Sequence, residues 1–250
     1  MEWVRGFYEK QYSMWELNDT EELEYQQKLL NTLKKYAPSL SGKVLELGGG
    51  RGYFAVAAAK LGYEVTVIEL AKNAVQYTYQ LAKQEGVLSK ITVIHEDFYK
   101  VELTEQYDVV CYWDGFGIGV DQEQQVLLKR IHHWLCPDGT ALIDIYTPWY
   151  WAKVSGMTMQ IKAGVFREYD FDALNCRMID SWWEESRQQE KITQSLRCYS
   201  PADLELLISD IPLTLTKCGP GGEMNYEQGV YTESVSLGRA MSYLAVLRKE

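Results

Sequence analysis

The sequence predicts an α/β protein: a seven-stranded, mostly parallel, doubly wound sheet with helices on both faces, plus an antiparallel lid insertion. Three observations predict it. A short apolar run, Val44 to Leu47, enters the glycine cluster Gly48-Gly49-Gly50-Arg51-Gly52, and a helix-compatible run opens at Tyr53. A second apolar run, Glu64 to Ile68, finishes on an acid, Glu69. Beyond it, strand-length apolar runs alternate with helical patterns as far as Tyr146, the alternation that builds parallel sheets from strand–helix–strand units.

The glycine cluster is the centre of the pattern. Glycine lets the backbone turn sharply and come close to a ligand where a Cβ would clash. The N–H groups at the start of the following helix favour a negatively charged group. Glu69 lies 21 residues past Gly48, where an acid ending a second strand can accept both hydroxyls of a ribose. A dinucleotide fingerprint reads G-x-G-x-x-G. Here the glycines at 48, 50 and 52 read G-x-G-x-G, with Glu46 two residues before the first.

That acidic-x-Gly-x-Gly-x-Gly form resembles the class I S-adenosylmethionine-dependent methyltransferases. The resemblance covers roughly residues 40–145 well and 200–249 loosely. It implies S-adenosylmethionine as cofactor, S-adenosylhomocysteine as its product, and no metal. The methionine end would lie at Glu46, Gly48, Gly49 and Gly50, with Glu46 near the ammonium, and the ribose at Glu69 and Leu70. After the third strand, Asp97-Phe98 matches the family position that reads adenine: Asp97 would accept from the exocyclic amine and Phe98 would cover the ring. Tyr8 and Trp113 complete the expected cofactor contacts.

Composition sets outer bounds. The 250 residues are 46% hydrophobic and 24% charged, which suits one globular domain over 1–250. A formal charge of −10 repels phosphate backbones and anionic lipid, so neither nucleic acid nor membrane is an expected partner. No run approaches the ~20 apolar residues of a membrane span, and the first residues lack a basic-then-apolar signal pattern. Five cysteines, odd in number, far apart and without C-x-x-C, fit free thiols in a reducing cytoplasm.

Residues 1–40 read as a helical N-terminal cap. Trp3, Phe7, Tyr8, Tyr12 and Trp15 make it aromatic, and Asp19 with Glu22 forms a capping box. The helix that follows runs to about Ala37, with Leu23, Leu30 and Leu33 on one face, and Pro38 stops it. Residues 41–147 are the expected cofactor-binding core. It continues with a helix over Lys72–Gln84, a strand over Ile91–Ile94, a strand over Tyr107–Trp113 and a helix over Gln122–Leu135. A turn, Cys136-Pro137-Asp138-Gly139, leads into a strand over Thr140–Tyr146. The loop Asp114-Gly115-Phe116-Gly117-Ile118-Gly119 follows the fourth strand, so it should face the ligands; its glycines predict close backbone approach or mobility. His132 and His133 do not make a metal site, because adjacent helical side chains point about 100° apart.

Residues 148–200 read as a lid or substrate insertion, also a candidate dimer contact, with antiparallel strands near 166–170, 178–183 and 192–199. Residues 201–250 complete the sheet through a short helix, Ala202–Ile208, and strands at Leu213–Lys217 and Ser242–Leu247. The sheet should carry one reversed edge strand. Gly219-Pro220-Gly221-Gly222 and the polar stretch after it predict a long mobile connection.

The resemblance implies methyl transfer to a small-molecule acceptor, at oxygen or nitrogen, by in-line displacement in an aromatic-lined pocket. Candidate substrate contacts are Tyr12, Trp15, Phe116, Trp149, Tyr150 and Trp151. An oxygen or nitrogen acceptor needing a base has four candidates: Asp114, Asp144, Tyr12 and His95. Two other readings stay open, a nicotinamide (NAD-type) oxidoreductase and a non-catalytic S-adenosylmethionine-binding protein. A nucleic-acid adenine methyltransferase would carry Asn/Asp-Pro-Pro-Tyr after the fourth strand, where this chain reads Trp113-Asp114-Gly115-Phe116.

Overall fold

The computed structural model describes residues 2–14, 19–37, 39 and 41–250, with the side chains of residues 2, 13 and 19–23 left undescribed. Trp15 and Pro38 therefore lie outside the described residues, as do the side chains of Asp19, Glu22 and Leu23. The chain order is α1 (Glu2–Met14), α2 (Asp19–Tyr36), β1 (Lys43–Leu47), α3 (Tyr53–Lys60), β2 (Glu64–Glu69), α4 (Lys72–Gln84), β3 (Ile91–His95), β4 (Tyr107–Tyr112), α5 (Asp121–Trp134) and β5 (Leu135–Tyr146). Then come α6 (Pro148–Lys153), β6 (Thr158–Lys162), β7 (Val165–Asp172), β8 (Arg177–Glu184), β9 (Ile192–Arg197), α7 (Pro201–Leu207), β10 (Leu213–Pro220), β11 (Glu223–Asn225), β12 (Val230–Thr232) and β13 (Ser242–Lys249).

Seven strands form one sheet in the order β10-β13-β5-β4-β1-β2-β3. Pairing is parallel from β5 through β4, β1 and β2 to β3, and β13 runs antiparallel to both β5 and β10. The strand order doubles back at β1, which places a crevice outside the carboxyl ends of β1 and β4. The reversed strand is β13, second from the edge, and not the edge strand that the sequence suggests. An antiparallel excursion out along β10 and back along β13 leaves β10 outermost.

The hydrophobic runs explain the layers. One sheet face packs Leu45, Val110 and Ile143 against Leu127, Leu128, Ile131 and Trp134 of α5 and Leu204 and Leu207 of α7. On the other face, Val44, Val65 and Val109 meet Leu29, Leu30 and Leu33 of α2, with Phe54, Ala55 and Ala58 of α3. Alternate strand residues thus feed opposite layers, and both layers are apolar because a parallel sheet is covered on both sides.

Three elements differ from the sequence reading. The turn at Cys136–Gly139 is taken up inside β5: pairing with β4 passes from Tyr107 opposite Leu135 to Val109 opposite Thr140, and Asp138 sits at φ 61°. Asp tolerates that left-handed conformation better than most residues. The insertion has four strands, β6-β7-β8-β9, and begins with a helix, α6, where the sequence reading had three strands. Its edge strand β6 alternates exposed and half-buried residues, a weak signal next to a buried strand. The connection expected to be mobile contains the hairpin β11–β12, whose Glu223 is buried and paired with Lys153 and Arg239.

Helix α1 lies across the insertion. Its Phe7 and Met14 pack with Val165 and Trp182, while Val4 joins Ile118, Tyr150 and Trp151. The N-terminal segment and the insertion therefore share one apolar seam.

Candidate active site

A cleft opens at the carboxyl ends of β2, β3 and β4, beneath α1. Its walls bring together Tyr8 and Tyr12 of α1, Gly48 of the glycine loop, Glu69 and Leu70 after β2, Asp97 and Phe98 after β3, and Asp114 after β4. Eight expected site residues from five separate stretches of sequence thus line one space. Val4, Arg5, Ala71, Tyr99, Tyr112 and Ile118 line it as well; none of them carries a motif signal.

The glycine loop is held by Glu69. Its Oε2 accepts from the Gly50 amide at 2.8 Å and its Oε1 from the Ala71 amide at 2.7 Å. Burial raises the Glu69 carboxyl above its usual range, and these amide bonds oppose the rise. Each oxygen keeps a further lone pair for a hydroxyl donor. Gly50 has φ 53°, and a Cβ there would sit 2.9 Å from the Tyr12 hydroxyl oxygen. A side chain at this position would meet both the left-handed backbone penalty and the floor of α1.

Glu46 lies under the loop and not on the cleft wall. It is 3% exposed, its Oε2 has no hydrogen-bond partner, and burial together with the Glu69 charge pushes its carboxyl well up. A buried polar oxygen without a partner is costly, and a ligand cation arriving above it would lower that cost. Arg51, the cation nearest the loop, points the other way: it donates to the Tyr12 carbonyl at 2.8 Å and packs over the Tyr12 and Tyr77 rings.

On the β3 side, Asp97 Oδ1 accepts from the Tyr99 amide at 2.9 Å, which fixes the turn, and Phe98 packs edge-on against Tyr112 with centroids 5.4 Å apart. His95 is exposed and its Nε2 contacts the Leu70 carbonyl at 3.1 Å, away from the cleft wall. Trp113 packs on Phe54 in the opposite core layer, with centroids 5.0 Å apart. Alternation past β4 gives the cleft to Tyr112 and turns Trp113 to the far face.

Asp114 projects into the cleft, where the Tyr146 hydroxyl donates to its Oδ1 at 2.9 Å. Behind it runs a chain of polar contacts through the insertion. Arg167 grips Asp180 with two bonds of 2.8 Å, Gln194 Nε2 donates to Asp180 Oδ2 at 2.8 Å, and the Tyr8 hydroxyl donates to Gln194 Oε1 at 3.3 Å. Strands β7, β8 and β9 are thereby tied to α1. Asp144 stands elsewhere, half-buried on β5, with its carboxyl pushed up to about 7 by burial, against the Ser242 hydrogen bond.

The remaining aromatic candidates sit behind the cleft. Phe116 is core, near Tyr199 at 5.5 Å. Tyr150 donates to the Met224 carbonyl at 2.9 Å, Trp151 Nε1 to the Met241 carbonyl at 3.0 Å, and Trp149 packs partly buried beside them. They support the insertion. Mobility is not what the glycines of the 114–119 loop provide. A Cβ on Gly117, at φ 105°, would lie 2.2 Å from the Arg197 carbonyl oxygen, and Arg197 donates its own amide to the Gly117 carbonyl at 2.8 Å. Arg177 adds bonds to the carbonyls of Gly117, Ile118 and Gly119 at 3.0–3.1 Å. The loop is pinned to the insertion.

Comparison with known proteins agrees with this geometry. A family model described as a methyltransferase domain matches residues 44–139, the segment from β1 into β5. Over that segment the chain is similar to methyltransferase domains. Curated relatives match the same core segment. A ubiquinone biosynthesis O-methyltransferase from Rickettsia canadensis is 28% identical over 41% of this chain and 42% of its own length. The human EEF1A lysine methyltransferase 2 is 33% identical over 43% and 44%. The matched region thus spans less than half the length of these relatives.

Solved structures extend the likeness to the whole fold. The CcbJ methyltransferase from Streptomyces caelestis superimposes with a TM-score of 0.72 at 20% identity, covering 90% of this chain and 89% of that one. An S-adenosylmethionine-dependent methyltransferase from Clostridium acetobutylicum gives 0.71 at 12% identity, covering 92% and 93%. Among the described residues, no helix is long and apolar enough to cross a membrane, and no group of three or more His, Cys, Asp or Glu could hold a metal ion.

Proposed function

We propose that the methyltransferase transfers a methyl group from S-adenosylmethionine to a small-molecule acceptor at oxygen or nitrogen, inside the cleft under α1. The observation that carries this reading is the convergence of Glu69, Asp97 and Phe98 with Tyr8, Tyr12 and Asp114 around one cleft. The first set suits a ribose and an adenine, and the second leaves polar groups for an acceptor.

The residues fit the cofactor. Glu69 offers two oriented carboxylate oxygens, and Glu46 Oε2 is a buried oxygen that an ammonium would satisfy. When bound, S-adenosylmethionine supplies an electrophilic methyl group with a good leaving group. The chain then has to align the acceptor and exclude water, and these can supply much of the acceleration. Tyr8 and Tyr12 cover the cleft from α1. Asp114 is the carboxylate placed to receive an acceptor proton, whereas His95 is turned to the Leu70 carbonyl and Asp144 is off the cleft wall.

Incubating the full chain with methyl-labelled S-adenosylmethionine and a panel of small oxygen and nitrogen acceptors tests the reading. Label should pass to at least one of them. Cofactor binding without transfer across a broad panel would favour the non-catalytic reading.

A further inference from the structure

The charges of the cleft select among acceptors. Three carboxylates face it, Glu69, Asp97 and Asp114, against one cation among the lining residues, Arg5. Glu69 and Asp97 sit at the ends of β2 and β3 and already accept backbone amides. Asp114 is different. It follows β4 and lines the cleft with Ile118, and no lysine or arginine among the described residues forms an ion pair with it. Arg167, the nearest candidate, has its guanidinium fork committed to Asp180.

We propose that the acceptor is a small amine, which enters as its ammonium, pairs with Asp114 and passes it a proton before the nitrogen takes the methyl group. The proposal rests on the methyltransferase reading above. An acid-lined cleft in a chain of net charge −10 concentrates small cations and repels carboxylates and phosphates. In the pair, one N–H bond of the ammonium breaks and its proton forms an O–H bond on Asp114. The freed nitrogen lone pair then bonds the methyl carbon. The carbon–sulfur bond breaks with its electron pair staying on sulfur, and the positive charge ends on the methylated nitrogen. Asp114 returns its proton to water when the product leaves.

The surroundings of Asp114 support that proton transfer. Burial raises its carboxyl, opposed by the Tyr146 hydrogen bond and the Arg167 charge. The titratable groups whose charges bear on it, or on which its charge bears, are Tyr8 and Tyr12 from α1, Tyr112 on β4, Asp144 and Tyr146 on β5, Arg167 on β7 and Asp180 on β8. Asp114 is exposed to the cleft, so an entering ammonium can reach it directly. A neutral alcohol can donate a hydrogen bond to the carboxylate but brings no opposite charge, and it is a far weaker acid than an ammonium, which makes it the poorer match.

Calorimetry on the full chain saturated with S-adenosylhomocysteine tests this without turnover. The probes are a panel of primary and secondary arylalkyl and alicyclic amines, each with the alcohol of the same skeleton. Hydrogen bonds to charged groups imply that amines bind about tenfold or more tightly than their alcohols. Asp114→Asn should abolish that preference and leave S-adenosylhomocysteine affinity unchanged, which also shows that the variant folds. Equal binding of amines and alcohols, no amine binding at all, or a preference surviving in Asp114→Asn would overturn the proposal. Failure of S-adenosylhomocysteine itself to bind would instead overturn the methyltransferase reading beneath it.

Discussion

The Glu69 carboxylate accepts a hydrogen bond from the Gly50 amide at 2.8 Å, so the acid that ends β2 also shapes the glycine loop that follows β1. A residue expected to hold a ribose is at the same time a strut for the loop beneath the methionine end. Glu69→Ala should therefore remove both functions. Charge-assisted bonds contribute about 1.5–3 kcal/mol, which corresponds to a ten- to hundredfold rise in the S-adenosylhomocysteine dissociation constant. Calorimetry on a folded variant with unchanged affinity would take Glu69 out of the site.

Gly50→Val places a branched side chain at φ 53° and against the Tyr12 hydroxyl. It should lower affinity for the cofactor more than Glu69→Ala does, because α1 must shift to make room. If a thermally intact variant binds normally, the loop does not approach the ligand closely.

Arg167 and Asp180 form a paired, bidentate contact in which Asp180 is fully buried and Arg167 is 23% exposed. Removing one partner of such a pair costs about 3–5 kcal/mol. At about 2–4 °C per kcal/mol for a chain this size, Asp180→Ala should lower the melting temperature by roughly 6–20 °C. Glu85→Ala, which breaks the exposed Lys60–Glu85 pair, should cost about 1 kcal/mol or less. Similar melting temperatures for the two variants would show that the insertion does not depend on its buried pair.

Asp144 should make stability depend on pH. Its folded pKa of about 7 exceeds the unfolded value of about 3.9, so the folded chain holds this proton more tightly. The resulting stabilisation is full below about pH 4 and is lost as pH rises through about 7. Wild type should lose melting temperature relative to Asp144→Asn between pH 5 and pH 8. Parallel melting curves across that range would mean that Asp144 titrates normally.

The parts of the fold that sequence reveals are those where one local rule dominates. From β1 to β4 each strand is a short apolar run stopped by glycine or an acid, and α4 begins and ends where Lys72 and Gly86 suggest. The cofactor end of the cleft follows from the same rule, since Glu69, Asp97 and Phe98 all stand just past strand ends. Trp113 shows the limit: one residue beyond Tyr112, it points to the opposite layer. Contacts made only by tertiary packing leave no local trace. The Arg167–Asp180–Gln194–Tyr8 chain joins four elements, and its Tyr8–Gln194 bond links side chains 186 residues apart; nothing in the spacing of those residues marks them. Aromatic content is equally ambiguous, because Phe116, Tyr150 and Trp151 fill core while Tyr8 and Tyr12 face the cleft.

The central claim is cofactor identity, and thermal unfolding with and without ligand tests it most directly. A ligand that binds only the folded state stabilises it by about 2.7 kcal/mol at a hundredfold excess over its dissociation constant. That should raise the melting temperature by roughly 5–11 °C. S-adenosylmethionine and S-adenosylhomocysteine should both produce the shift, and NAD and NADP should not. A shift with NAD or NADP and none with either sulfur compound would contradict the account.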